Sequence, residues 1–355
     1  KEMKFMFMLI SIIVPAMIVT AGSSTKTAVL ELDNGDNNKS TKRARTATQP
    51  AEQELPEPIV TAKATIEKIP VILDTDIGTD IDDTWALAMM LKSPELDVKM
   101  VVTDTGNTTY RAKVVAKMLE VAGRTDVPVG IGLHLSDDEG GQAGWVKDYD
   151  LSSYPGKVYK DGVGAMIDVI MKSPTPITLI CIGPVPNISN ALEREPRIAK
   201  KAQFVGMHGS VRKGYNGSDK VSAEYNVAAY PKDCQKAFTA AWDMTITPLD
   251  TCGLVVLQGE KYKKVLDSKD PIAKAVIENY NIWAKGTPDK SSVLFDTVAI
   301  YLSFAHELLV MEKLGIRVTD DGFTVEDPKA KLMNCAMEWK DLPAFEDFLV
   351  ERLIK

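Results

Sequence analysis

The feature that most narrows what this chain can fold into is a repeated switch of hydrophobic period. Apolar runs of strand length alternate with longer stretches whose apolar positions recur at helical spacing. IPVILD (69–74) precedes DTWALAMMLKSP (83–94), and DVKMVVTDT (97–105) precedes YRAKVVAKMLEVAG (110–123). VPVGIG (127–132), the helical DGVGAMIDVIMKSP (161–174), ITLICIG (177–183), the helical NISNALEREPRIAKKA (187–202) and QFVGMHG (203–209) follow. KDCQKAFTAAW (232–242), MTITPLD (244–250) and a later helix, DTVAIYLSFAHEL (296–308), continue the order. Strands that are apolar throughout must be covered on both faces, and parallel neighbours need a crossover between them. The pattern predicts an α/β fold: an open, mostly parallel β-sheet flanked by helices on both faces.

Ligands of such sheets bind beyond the carboxyl ends of the strands. Polar clusters fall there at Asp74–Asp83, at Asp104–Asn107, at Gly183-Pro184 and at Met207-His208. The first is the densest: VILDTDIGTDIDD (71–83) carries Asp74, Asp76, Asp80, Asp82 and Asp83. Crowded carboxylates repel unless a cation or solvent offsets them. All-oxygen ligands suit a hard divalent cation, calcium or magnesium. The spacing is not that of an EF-hand. Asp82 or Asp83, just before TWALAMML, suits a helix N-cap; capping does not account for Asp74 and Asp76 at the strand end. A strand ending in D-x-D also occurs in haloacid-dehalogenase-type phosphatases, but Gly78 stands where that pattern wants Thr or Val, and Asp82-Asp83 follow too soon.

The chain has 355 residues. Residues 1–21 have the lysine-bearing start, apolar run and small residues of a signal peptide cut after Ala21. The run is short for a membrane span and holds Pro15; a retained anchor is the other reading. Residues 22–66 have the composition of a disordered linker. Residues 67–355 fit one catalytic-sized domain. The expected destination is therefore secreted or periplasmic, with no membrane span in the mature chain. A net charge of −7 argues against nucleic-acid polymers as partners. Cys181, Cys234, Cys252 and Cys335 have neither metal-ligand spacing nor the density of a disulfide framework.

Several separated pieces occur in a fixed order: VILDTDIGTDIDD (71–83), TDTGN (103–107), CIGPVPNISNALEREPRI (181–198), AEYN (223–226) and LFDTVAIYL (294–302). In them the chain resembles the nucleoside hydrolases, the inosine-uridine-preferring N-ribohydrolase family. The resemblance implies an open α/β fold with one calcium ion, held by Asp76, Asp83, Asp296 and the main-chain carbonyl of Ile182. It implies that Asp82 holds a ribose hydroxyl, that Asn107, Asn216, Glu224 and Asn226 hold others, and that Met207 lies against the sugar with Asp74 behind the metal ligands. Asp76, Asp82 and Asn226 form the implied catalytic set: a water gives its proton to Asp76 and attacks the anomeric carbon through an oxocarbenium-like transition state. The products are ribose and a free base, no organic cofactor is needed, and a homo-oligomer is implied.

Many members of that family carry a histidine immediately before the last metal aspartate. Here that residue is Phe295, which cannot donate a proton but can stack on a base. His208, beside Met207, is a candidate to reach the sugar; His134, at a loop start, could reach the rim of the sheet; His306 reads as a helix residue. Trp145, Tyr149 and Tyr215 lie in loop-like segments that could cover a base, and 134–160 reads as a long loop of the lid type. Three functional readings remain: a calcium-dependent ribonucleoside hydrolase, a calcium-dependent sugar- or nucleoside-binding protein with little turnover, and a hydrolase of another ribosyl or glycosyl substrate.

Overall fold

The computed structural model describes residues 67–355; the expected signal peptide (1–21) and linker (22–66) lie outside them. In chain order the elements are β1 (Ile69–Thr75), α1 (Asp82–Leu91), β2 (Leu96–Thr103), α2 (Thr108–Val121), β3 (Val129–Ile131), α3 (Ala143–Val146), β4 (Val158–Tyr159) and α4 (Gly162–Lys172). There follow β5 (Ile177–Cys181), α5 (Pro186–Arg194), β6 (Ala202–Met207), α6 (Tyr225–Ala228), α7 (Pro231–Thr239), β7 (Met244–Thr247) and α8 (Leu249–Cys252). The chain closes with α9 (Gly259–Leu266), α10 (Pro271–Trp283), α11 (Phe295–Leu302), β8 (Leu309–Val318), β9 (Thr324–Glu326), β10 (Leu332–Trp339) and α12 (Leu342–Ile354).

The strands form one ten-stranded sheet in the order β4-β3-β2-β1-β5-β6-β7-β10-β8-β9. From β4 to β7 all pairs are parallel. β10 adds parallel to β7, and β8 and β9 extend the edge antiparallel. One core joins α1, α2 and α10–α12 to the sheet through residues such as Trp85, Val114, Val276, Val298 and Leu349. The other lies under α4, α5 and α7, with Met166, Ile188 and Phe238. β1 and β5 are neighbours although β2, β3 and β4 all lie between them in sequence, so strand order reverses between them. A crevice opens at such a reversal beyond the strand ends.

Local chemistry explains where boundaries depart from the sequence reading. The helix expected over 187–202 stops at Arg194, because Pro196 cannot continue it; a 3₁₀ turn, Pro196–Lys200, takes over. The helix expected over 296–308 ends at Leu302, and His306 is exposed in the turn beyond it. The expected loop 134–160 contains α3 and the short edge strand β4. The antiparallel edge of β8–β10 was not read from the sequence; there every second residue of β10, from Met333 to Met337 with the adjoining Ala336, turns inward.

α12 is fastened by Phe345, which is fully buried with its ring 5.3 Å from Tyr301 and 4.8 Å from Trp339. Arg352 makes two 2.8 Å bonds to Glu95 across the same layer. Phe345→Ala is expected to destabilise the domain by about 3–5 kcal/mol, read from urea unfolding midpoints, because the lost ring leaves a cavity among aromatic neighbours.

Candidate active site

β1 delivers Asp74 and Asp76 to the crevice, with Asp74 in register with Cys181 of β5. The loop Ile77–Ile81 then leads into α1, whose first two residues are Asp82 and Asp83. Neither caps the helix: the N-cap position is Ile81, without a side-chain bond. Asp83 instead accepts a 2.5 Å bond from Thr75 Oγ1. Asp296 is likewise in the first turn of α11, and α1 packs against α11. Two helix amino termini thus converge, and their partial positive charge favours carboxylates in the first turn. Carboxylate oxygens of Asp82, Asp83 and Asp296 lie within 4.8 Å of one another, and all three residues are buried.

The surrounding charge is strongly unbalanced. Asp74, Asp76, Asp82, Asp83, Asp104, Glu224 and Asp296 are all buried. Burial is the main reason each carboxyl is held above its usual range, and mutual repulsion adds to it. Asp74 is pushed up to about 7 by desolvation, against a bond from Asn187 that lowers it. Glu224 also rises to about 7 by desolvation, although backbone N–H groups donate to it. The guanidinium of Arg111 pulls the other way on Asp76, Asp83 and Asp104. Both carboxylate oxygens of Asp104 and Oδ1 of Asp74 are buried without a hydrogen-bond partner. Orphaned buried carboxylates are costly. One guanidinium among seven acids leaves a donor set that fits a hard divalent cation.

The sugar-facing candidates are partly gathered by this framework. Glu224 caps α6; its Oε1 accepts from Asn226 N (2.7 Å) and its Oε2 from Gly209 N (2.8 Å). Asn226 Nδ2 donates to the carbonyls of Ile182 and Met207, each at 3.0 Å. Ile182, Met207, Glu224 and Asn226 are therefore one bonded, buried group. Asn107 is half-buried and caps α2, accepting from Tyr110 N at 3.0 Å. Phe295 opens α11 with its ring 6.1 Å from that of Tyr215, edge to face, and Tyr215 Oη accepts from Tyr225 N. Asn216, next to Tyr215, is exposed at φ 58°. A cavity of about 380 Å³ opens beside Arg111 between Thr79, Leu135, Tyr225 and Tyr230.

Other expected residues are not brought in. His208 is fully buried, 5.6 Å from the Phe204 ring and 6.2 Å from that of Phe238. Along an extended chain alternate side chains point to opposite faces, so His208 follows Phe204 into the core under α7 while Met207 joins the other core. Burial lowers its imidazole to about 3, which keeps it neutral. His134 is exposed and bonded to Asp137. Trp145 is buried beneath Lys117, on the α2 side. Tyr149 packs into the same core. Two residues that sequence reasoning passed over matter more. Arg111 is an arginine on an otherwise apolar helix face, a pattern that could have flagged it. Asn187 donates to Asp74 Oδ2 (2.8 Å) and Thr103 O (3.0 Å) and accepts from Leu133 N.

A reversal-point crevice lined by buried aspartates on two helix amino termini defines an N-glycosyl hydrolase of the nucleosidase type once the comparisons are set beside it. The family profile described as inosine-uridine preferring nucleoside hydrolase matches residues 71–345. The chain belongs to that family. It is 29% identical over 294 residues to a probable uridine nucleosidase 2 of Arabidopsis thaliana, covering 77% of this chain and 90% of the relative. It is 27% identical over 267 residues to a non-specific ribonucleoside hydrolase of Klebsiella pneumoniae, covering 72% and 85%. In fold it matches a plant nucleoside hydrolase (TM-score 0.70, 23% identity, 81% of this chain and 99% of that one). It also matches a purine-preferring ribonucleoside hydrolase of Gardnerella vaginalis (TM-score 0.65, 22% identity, 80% and 98%).

The charge imbalance has a sign that can be tested. A carboxyl whose pKa is raised on folding binds more protons folded than unfolded as pH climbs from its ordinary value, 3.8 for aspartate, to its folded value. Stability then falls with rising pH across that window. In chelator, the melting temperature is expected to drop between pH 5 and pH 8, roughly the upper part of the window. A divalent cation that binds the folded state should restore it by mass action. A chelator-treated protein that melts at one temperature across this range would contradict the assignment.

Proposed function

We propose that the protein hydrolyses the N-glycosidic bond of ribonucleosides to ribose and free base, with calcium as its metal. The observation that carries this reading is the convergence of Asp82, Asp83 and Asp296 beside Asp76, in a chain of the nucleoside hydrolase family. Asp76, Asp83, Asp296 and the Ile182 carbonyl would hold the ion, which supplies the missing positive charge and Lewis acidity toward sugar hydroxyls and water. Hard oxygen donors without cysteine or histidine favour calcium or magnesium over a transition metal.

This chain's residues then divide the work. Asp76, already raised by burial, is the base that takes one proton from the attacking water. The water oxygen bonds to the anomeric carbon as the bond to the base nitrogen breaks, and the electron pair leaves with the base. Positive charge develops on the sugar ring, and the buried carboxylates stabilise it more strongly than they would in water. Asp82, Glu224 and the Oδ1 of Asn226 accept from or orient ribose hydroxyls, with Met207 packed against the ring and Asn107 and Asn216 at the outer edge. Phe295 and Tyr215 form an aromatic wall for the base.

A second reading, a calcium-dependent nucleoside- or sugar-binding protein with little turnover, is favoured by Phe295 alone, since a phenyl ring protonates nothing. Incubation with inosine, uridine, adenosine and cytidine, with release of reducing sugar as the readout, separates the two. Hydrolysis of at least one nucleoside is expected in calcium and none in excess chelator. Asp76→Asn should lower kcat by about 10²–10⁴-fold, the usual worth of a general base. Stabilisation by a nucleoside without any sugar released, in protein shown to hold calcium, would leave the binding reading standing. If departure of the base is the slow step, Phe295→His should raise kcat by about tenfold or more; an unchanged or lower kcat would place the slow step elsewhere.

A further inference from the structure

The loop Ile77–Ile81 joins Asp76 at the end of β1 to Asp82 at the start of α1, so its shape sets how far apart those carboxylates stand. Four consecutive carbonyls in it are each taken by a side chain from elsewhere. Arg111 Nη1 donates to Ile77 O (3.0 Å), and Tyr110 Oη donates to Gly78 O (3.1 Å). Trp283 Nε1 donates to Thr79 O (3.1 Å), and Gln142 Nε2 donates to Asp80 O (2.6 Å). The donors come from α2, from the segment before α3 and from the last turn of α10.

Gln142 is itself fixed. It is fully buried, and its Oε1 accepts from Thr84 Oγ1 of α1 (3.0 Å) and from Asn279 Nδ2 of α10 (2.8 Å). Those two bonds orient the amide so that its NH₂ meets the loop. The glycines before it allow the approach: a Cβ on Gly140 would lie 1.9 Å from Gly78 O, and one on Gly141 would lie 2.6 Å from Trp283 Cδ1. The stretch GGQ (140–142), expected to belong to a lid over the base, is packed against the aspartate loop instead.

We propose that Tyr110, Gln142 and Trp283, together with Arg111, are positioning residues for the metal: they hold the loop so that Asp76 stands at a set distance from Asp82 and Asp83 before a cation arrives. The proposal rests on the metal reading given above. Carboxylates at both ends of a five-residue loop push it outward. A loop free to relax must be ordered again when the cation binds, and that entropy is subtracted from affinity. Side chains that hold metal ligands in place affect metal affinity by about 10–100-fold in other metalloproteins.

Tyr110→Phe deletes one donor and keeps the ring, and Trp283→Phe deletes another while leaving a smaller aromatic ring in place of the indole. In the double variant, calcium affinity by isothermal titration is expected to fall about tenfold or more. At saturating calcium, kcat should fall while KM for the nucleoside changes little, and the chelator-treated variant should melt close to the parent. Gly140→Ala, which forces a methyl group against Gly78 O, should weaken calcium in the same way through a different contact. Parental calcium affinity in both variants overturns the proposal and leaves the hydrolase reading intact. Affinity lost only in step with the melting temperature of the metal-free protein also overturns it, since that makes the contacts part of the fold alone. A parent that binds no divalent cation removes the metal reading, and this proposal with it.

Discussion

Burying like charge at one point is the constraint on which this structure turns. Seven carboxyl groups lie at the carboxyl end of the sheet, out of contact with bulk water, where each loses hydration and repels the others. The fold offsets part of that cost by geometry. The first turns of α1 and α11 present helix amino termini to Asp82, Asp83 and Asp296. Arg111 sends its guanidinium among the acids while its Nε and Nη1 are fixed to the carbonyls of Thr105 and Ile77. What remains is a site still short of positive charge. That shortfall makes an open α/β sheet into a receptacle for a cation.

Sheet topology decides who can take part. Because strand order reverses between β1 and β5, the loop after β1 meets the residues after β5, and Ile182 comes under Asn226, 44 positions away in sequence. α11, from the far end of the chain, packs on α1 and returns Asp296 to the same place. Above this acidic floor the wall turns aromatic, with Phe295, Tyr215 and the largely exposed Tyr225 in a connected series. A polar floor and an apolar wall suit a molecule with a hydroxyl-rich half and a flat ring half.

Much of this was legible in the sequence, and the reasons differ by residue. The alternation of periods gave the parallel sheet through β7, because strands buried on both faces have no polar side to confuse the reading. The strands β8–β10 at the antiparallel end of the sheet were missed, since one of their faces is solvated and their pattern resembles many loops. Asp76, Asp83 and Asp296 were singled out through motifs, and the structure places carboxylate oxygens of Asp82, Asp83 and Asp296 within 4.8 Å of one another. His208 illustrates what motifs cannot carry: adjacency to Met207 suggested a shared site, yet one step along an extended chain reverses the side chain's face. Gln142 and Trp283 left no local signal, because their roles are set by contacts across 62 and 204 positions.

The position of the histidines bears on the chemistry as well. The chain has three: His208 is sealed in an aromatic core, His134 is turned to Asp137 on the surface, and His306 is exposed beyond α11. No imidazole therefore stands beside Phe295. Tyr215, whose ring meets that of Phe295 edge to face, is held above the usual tyrosine range by burial, which makes it a reluctant acid. Under the proposed function, bond cleavage would draw most of its driving force from the sugar side, where carboxylates meet the charge that develops as the base departs. On the same reading, a site of this kind would discriminate among nucleosides by how well the base leaves as an anion, more than by which atoms of the base it can protonate.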